Sequence, residues 1–251
     1  MTKFKQPTLP IYKTKLPSTG KEISFRPFTV AEEKLLLLAK ADDTEEKELI
    51  IEDATIQAIQ NCITSGQNIS DFASIDIEWM LLQLRKRSIG ETIDVFFNCL
   101  KVNEGKRCNG RMETSINLND VVIKNLIDKV EPLTIDFNGE NYTMEFGPMS
   151  MGVTKNVKSI IDKNENFVND FDVLVLYGML EKIYTKDELW TKETLTAEEF
   201  KDFISVFTPI QKNKVKEYFS NQPSLYYNVE LNCPICGNHT TYEMKTLQDF
   251  F

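Results

Sequence analysis

The chain has 251 residues, 41% of them hydrophobic and 27% charged, and a formal net charge of −9. That length suits one large domain or two small ones, and the acidity argues against a general affinity for nucleic acid, which needs clustered Lys and Arg. No apolar run is long enough to span a bilayer, and the opening residues Met1-Thr2-Lys3-Phe4-Lys5-Gln6-Pro7 have no apolar signal core. The sequence therefore reads as a soluble protein of a reducing compartment, where disulfides do not form.

Residues 1–15 contain Pro7 and Pro10 and no helical period, which suggests an extended arm or edge segment. Leu16 to Lys21 has turn chemistry, with Pro17 early and Gly20 late, and residues 22–28 alternate, placing Ile23, Phe25 and Pro27 on one side. Thr29 and Glu32 form a capping box that opens a helix over residues 30–41 with Leu35, Leu36, Leu38 and Ala39 as its apolar stripe. A second helix is predicted over 49–63, with Cys62 as a buried core thiol, and a third over 75–86 with Ile77, Met80, Leu81 and Leu84 inward. Residues 94–98 and 112–118 read as strands on either side of Cys99 and Cys108, and a short helix is expected over 121–126.

The pattern then restarts. Residues 133–137 and 142–146 alternate around the hairpin dipeptide Asn138-Gly139. Helices are predicted over 151–161, over the strongly apolar 170–184, over 197–206 behind a Thr196/Glu199 capping box, and over 210–219, opened by Thr208-Pro209. Phe167, Phe171, Phe200, Phe203, Phe207 and Phe219 have the spacing of core residues. Strands over 226–231 and 239–244 flank Asn232-Cys233-Pro234-Ile235-Cys236-Gly237, and Phe250-Phe251 end the chain as a candidate contact with a partner.

Four of the five cysteines thus lie at turns between short strands. Two residues between Cys233 and Cys236 let both thiolates face one ion, and Cys99 with Cys108 repeats the design across eight residues. Four sulfurs satisfy a tetrahedral zinc ion, so Cys99, Cys108, Cys233 and Cys236 are the predicted ligands of a structural Zn2+. The competing reading is two pairs of turn cysteines without metal. His239, the single histidine, follows Cys236 closely and is a candidate substitute ligand, although an exposed turn histidine is the simpler account.

The order of parts repeats. Each half starts with a hairpin ending in Phe-x-Pro, at Phe25-Arg26-Pro27 and Phe146-Gly147-Pro148. Each half also closes with a strand, an Asn-Cys step, a loop, a second cysteine and a strand. The expected architecture is α+β, with halves 1–120 and 121–251. Each half is a β-hairpin, a small helical bundle and a strand–cysteine turn–strand unit, and the two are joined at the four-cysteine site. Catalytic signatures do not emerge. One histidine supports no Ser-His-Asp or Cys-His arrangement, and Gly20-Lys21 lacks the upstream glycine of a phosphate loop.

The segment Leu16-Pro17-Ser18-Thr19-Gly20-Lys21-Glu22-Ile23-Ser24-Phe25-Arg26-Pro27-Phe28-Thr29-Val30-Ala31-Glu32-Glu33-Lys34 resembles the opening of the baseplate hub assembly proteins of T4-like contractile-tailed phages. The resemblance implies a late, non-enzymatic phage protein, an assembly factor or hub subunit. Its implied partners are other baseplate hub proteins; the residues themselves argue for no membrane and against nucleic acid, and leave a homo-oligomer open. It implies a place in the host cytoplasm during assembly or in the virion tail baseplate. The alternative is a zinc-ribbon regulator that binds nucleic acid or the host transcription machinery.

Overall fold

Turn chemistry starts the chain as the sequence predicts. In the computed structural model, which describes residues 7–44, 47–103, 105–125, 131–164, 167, 170–245 and 247–250, β1 (Tyr12–Lys15) pairs antiparallel with β2 (Glu22–Phe25). Gly20, at φ 69°, closes the connection, with its amide donating to the Leu16 carbonyl. Part of the expected arm is therefore strand; residues 7–11 are irregular and residues 1–6 lie outside the described ones.

The capping box at Thr29 and Glu32 opens α1 (Val30–Lys40), which packs on α2 (Lys47–Cys62). The predicted leucine stripe is only partly used. Ala39 is buried, Leu35 and Leu36 are half-buried, and Leu37 and Leu38 face solvent. After α3 (Ser74–Ser88) come β3 (Thr92–Asn98), the two-residue strands β4 (Val102–Asn103) and β5 (Lys106–Arg107), and β6 (Arg111–Asn117). β3 pairs with β6 along its whole length, Thr92 opposite Asn117 and Asn98 opposite Arg111. The helix expected over 121–126 is instead β7 (Val122–Lys124), as the β-branched Val122 and Ile123 favour a pleated strand.

β8 (Leu133–Phe137) and β9 (Glu140–Phe146) form the predicted hairpin at Asn138-Gly139, both residues at positive φ. α4 (Met151–Lys163) follows. The apolar run 170–184 is not one helix: α5 (Phe171–Met179) ends where β10 (Leu180–Tyr184) joins β9 in a sheet. β11 (Leu189–Thr191) completes the order β11-β10-β9-β8. α6 (Ala197–Ser205) and α7 (Pro209–Ser220) both open on capping boxes, the second from Thr208 and Gln211. Finally β12 (Ser224–Asn232) pairs with β13 (His239–Met244) and, on its other edge, with β7.

These elements form two compact units. One contains the described residues up to Ile69, those of Ile75–Lys124 and those from Ser224 onward; the other contains Ser70–Ser74 and the described residues of Asn125–Pro223. The division expected at 120/121 is thus not the division into units, because the last two strands return to the first. Nor does the second half repeat the first part for part. It opens on a hairpin extended to a four-stranded sheet, where β1 and β2 stand as a pair.

Two apolar clusters lie among the described residues of the second unit. Leu133, Ile135, Met144, Leu180, Ile183, Phe200, Ile204 and Phe207 make one, and Val153, Val157, Phe167, Leu174 and Met179 the other. α4 and α5 approach so closely that a Cβ on Gly178 would lie 2.7 Å from a methyl of Val153. Phe171, expected in a core, is exposed.

Candidate metal centre

Each cysteine pair is held by its own turn. At the end of β3 the Cys99 amide donates to the Gly110 carbonyl at 2.8 Å, and the Asn109 amide returns to the Cys99 carbonyl at 3.2 Å. The Cys108 amide donates to the Lys101 carbonyl at 2.9 Å, and β4 pairs antiparallel with β5 between the two cysteines. Asn109 accepts the left-handed conformation at φ 51°, which Asn tolerates better than most residues. At the second turn the Cys233 amide donates to Asn238, and the Gly237 amide donates to Cys233, both at 2.9 Å. Gly237, at φ 64°, makes that reversal possible.

The two turns meet. Cys99 Sγ lies 3.7 Å from Cys236 Sγ, and Cys108 Sγ lies 3.7 Å from Cys233 Sγ. All four sulfurs fall within 4.8 Å of one another, and all are free thiols. A disulfide would need about 2.05 Å, whereas a tetrahedron with metal–sulfur bonds of about 2.3 Å has edges of about 3.8 Å. The donor set therefore fits a tetrahedral thiolate site. The ribbons that carry the turns are also in contact, with the rings of Phe97 on β3 and Tyr242 on β13 4.3 Å apart.

Gly110 matters here for a steric reason that cysteine spacing does not disclose. A Cβ at this position would lie 2.5 Å from Cys233 Sγ and 3.4 Å from Cys108 Sγ, so only glycine leaves room for the cluster. The sequence signal was its place directly after Cys108-Asn109, which also reads as an ordinary turn.

Electrostatics makes the thiols compete. Backbone hydrogen bonds, from Cys236 first and also from Ile235, hold the Cys233 thiol down to about 6 against the opposing effect of burial. For Cys108 the Gly110 amide favours the thiolate, yet hydrogen bonding to Cys236, burial and the neighbouring Cys233 charge outweigh it and push the thiol up to about 12. Cys99 is also raised: its bond from the Lys101 backbone is outweighed by burial and by Cys236 and Cys233. One thiolate thus suppresses ionisation of its neighbours, and a central dication would remove that conflict.

The remaining candidates lie elsewhere. His239 is exposed, with Nε2 4.0 Å from a Glu230 carboxylate oxygen, and does not belong to the four-sulfur group. Cys62 is fully buried at the end of α2, and burial pushes its thiol up to about 12, which suits a core thiol rather than a ligand. The Arg26 guanidinium lies 3.6 Å from its sulfur and grips Glu32 with two bonds, at 2.9 and 3.1 Å. Phe250 is fully buried rather than presented to a partner, while Phe251 lies outside the described residues.

A family model described as T4 bacteriophage base plate protein matches residues 9–251. No curated protein and no solved structure matches the chain.

Proposed function

Because the chain belongs to the family of T4 bacteriophage base plate proteins, we propose that it acts in assembly of the baseplate hub, as an assembly factor or hub subunit. It works through protein–protein contact, without catalysis, and carries one structural zinc ion. The family match along residues 9–251 is the observation that carries the assembly reading. The sulfur geometry supports the zinc reading, and four thiolates leave such an ion no open position for water or substrate. Its role is to hold two turns distant in sequence, so that binding energy becomes folding energy.

The partners are other hub proteins, met in the host cytoplasm during assembly and retained in the tail baseplate where the chain is a subunit. No helix among the described residues is long and apolar enough to cross a membrane. Infection with phage unable to make this chain is the test. Particles should accumulate without a completed hub, and supplying the wild-type chain should restore them. Hubs completed at the normal rate without the chain would overturn the reading.

A further inference from the structure

Each cysteine turn carries large aliphatic side chains at its tip. Leu100, next to Cys99, is 70% exposed; Val102 on β4 is 57% exposed; Ile235, between Cys233 and Cys236, is 72% exposed. A single exposed aliphatic residue is ordinary. Here the sulfur cluster brings the two tips to one place, and an Ile235 side-chain carbon lies 3.3 Å from the position a Gly110 Cβ would take. Together Leu100, Val102 and Ile235 offer apolar surface that the described residues leave uncovered.

The charge around that surface runs against the rest of the molecule. Residues 98–113 contain Lys101, Lys106, Arg107 and Arg111 against Glu104 and Glu113, the last paired with Arg111 at 2.5 Å, a net +2 in a chain of net −9. Residues 232–242 contain no Asp, Glu, Lys or Arg. Lys101, Lys106 and Arg107 are all exposed. A basic, aliphatic tip complements a segment that is acidic and offers an apolar side chain. Nucleic acid fits less well: the tip residues cannot stack on bases as aromatic rings do.

We propose that the joined cysteine turns are a docking surface for an acidic polypeptide segment with an aliphatic or aromatic anchor, supplied by another baseplate protein. The apolar anchor sits against Leu100, Val102 and Ile235, while its carboxylates face Lys101, Lys106 and Arg107. This rests on the four-cysteine metal reading, since the sulfur cluster is what sets the tips side by side.

The full-length protein, with its zinc content measured on the same sample, is probed with overlapping short peptides covering the baseplate proteins of its own phage. The peptides bound should be net acidic with a large apolar residue. Their affinity should fall at least about tenfold in Lys101→Glu/Arg107→Glu and, separately, in Leu100→Ser/Ile235→Ser. Both double variants alter exposed side chains and should keep the wild-type metal content; if either loses zinc, Lys106→Glu or Val102→Ser replaces it. The proposal is overturned if no acidic peptide shows both sensitivities. It is also overturned if a single-stranded oligonucleotide binds and is lost with the charge variant, or if the chain self-associates through the same apolar residues. Zinc missing from the wild-type protein while peptide binding persists would overturn the metal reading alone.

Discussion

The cysteine-bearing end of the first unit and the interior of the second solve the same problem by different means. In the second unit aromatic rings accumulate: Phe137 lies within 6 Å of Tyr142, Phe203 and Phe207, and Phe200 is fully buried beneath the sheet formed by β8 to β11. The cysteine end consists of the two-stranded ribbon β3–β6 and the three-stranded β13-β12-β7, with exposed aliphatic residues at the turns. Ribbons this narrow are marginal alone, and here they rest on a buried apolar strip that includes Met112, Ile116, Leu118, Leu225 and Leu231. Four sulfurs at tetrahedral spacing offer this end a second support, a metal site, that the other unit's described residues do not have.

The largest break in that comparison should come from one sulfur. Cys233→Ser leaves three thiolates and is expected to cost several kcal/mol, about 4 or more. Hydrogen exchange should show protection lost around both 96–118 and 229–244, with the second unit unchanged. Loss confined to 229–244 would mean that the turns are not joined by a metal. The complementary change is Phe200→Ala, expected to cost about 3–5 kcal/mol through a cavity in the second unit while zinc content stays at the wild-type level. Zinc loss in that variant would show that the two supports are not separate.

A smaller effect sharpens the account of the first unit away from the metal. The Arg26 guanidinium first, then the Thr29 hydroxyl and amide, hold the Glu32 carboxyl down to about 2 from an ordinary 4.5, against burial. A carboxyl depressed on folding stabilises above its unfolded value and loses that contribution as pH falls through its folded value. The contribution at neutral pH is about 3 kcal/mol. The stability difference between wild type and Glu32→Gln should therefore be full at pH 7 and shrink between about pH 4.5 and about pH 2. A difference that does not vary with pH would assign Glu32 a packing role only. Smallest of all, Cys62→Ala should cost about 1 kcal/mol and leave zinc content untouched.

Much of this was legible where local chemistry decides structure. The capping boxes at Thr29/Glu32 and Thr196/Glu199 are formed as read, and so are the hairpin at Asn138-Gly139 and the strands beside each cysteine pair. Legibility failed where packing decides. The run 170–184 is apolar throughout, and an apolar segment buried on several sides has no period to separate α5 from β10. The strand at Val122–Lys124 depends on a partner about a hundred residues onward, and Gly110 depends on a sulfur that arrives from Cys233. Phe250 read as a candidate partner contact because its burial within this chain leaves no local pattern. The matching strand–turn contexts of Cys99/Cys108 and Cys233/Cys236 indicated one joint site, and the fold brings those four sulfurs within 4.8 Å of one another.

The central claim is that a metal joins the two turns. The most direct test is the metal content of the protein purified under reducing conditions with zinc present, measured together with thiol reactivity. The account predicts one zinc per chain, bound by Cys99, Cys108, Cys233 and Cys236, with those four thiols protected until a chelator removes the ion. Zinc content near zero, with the same four thiols freely reactive in the folded protein, would contradict it.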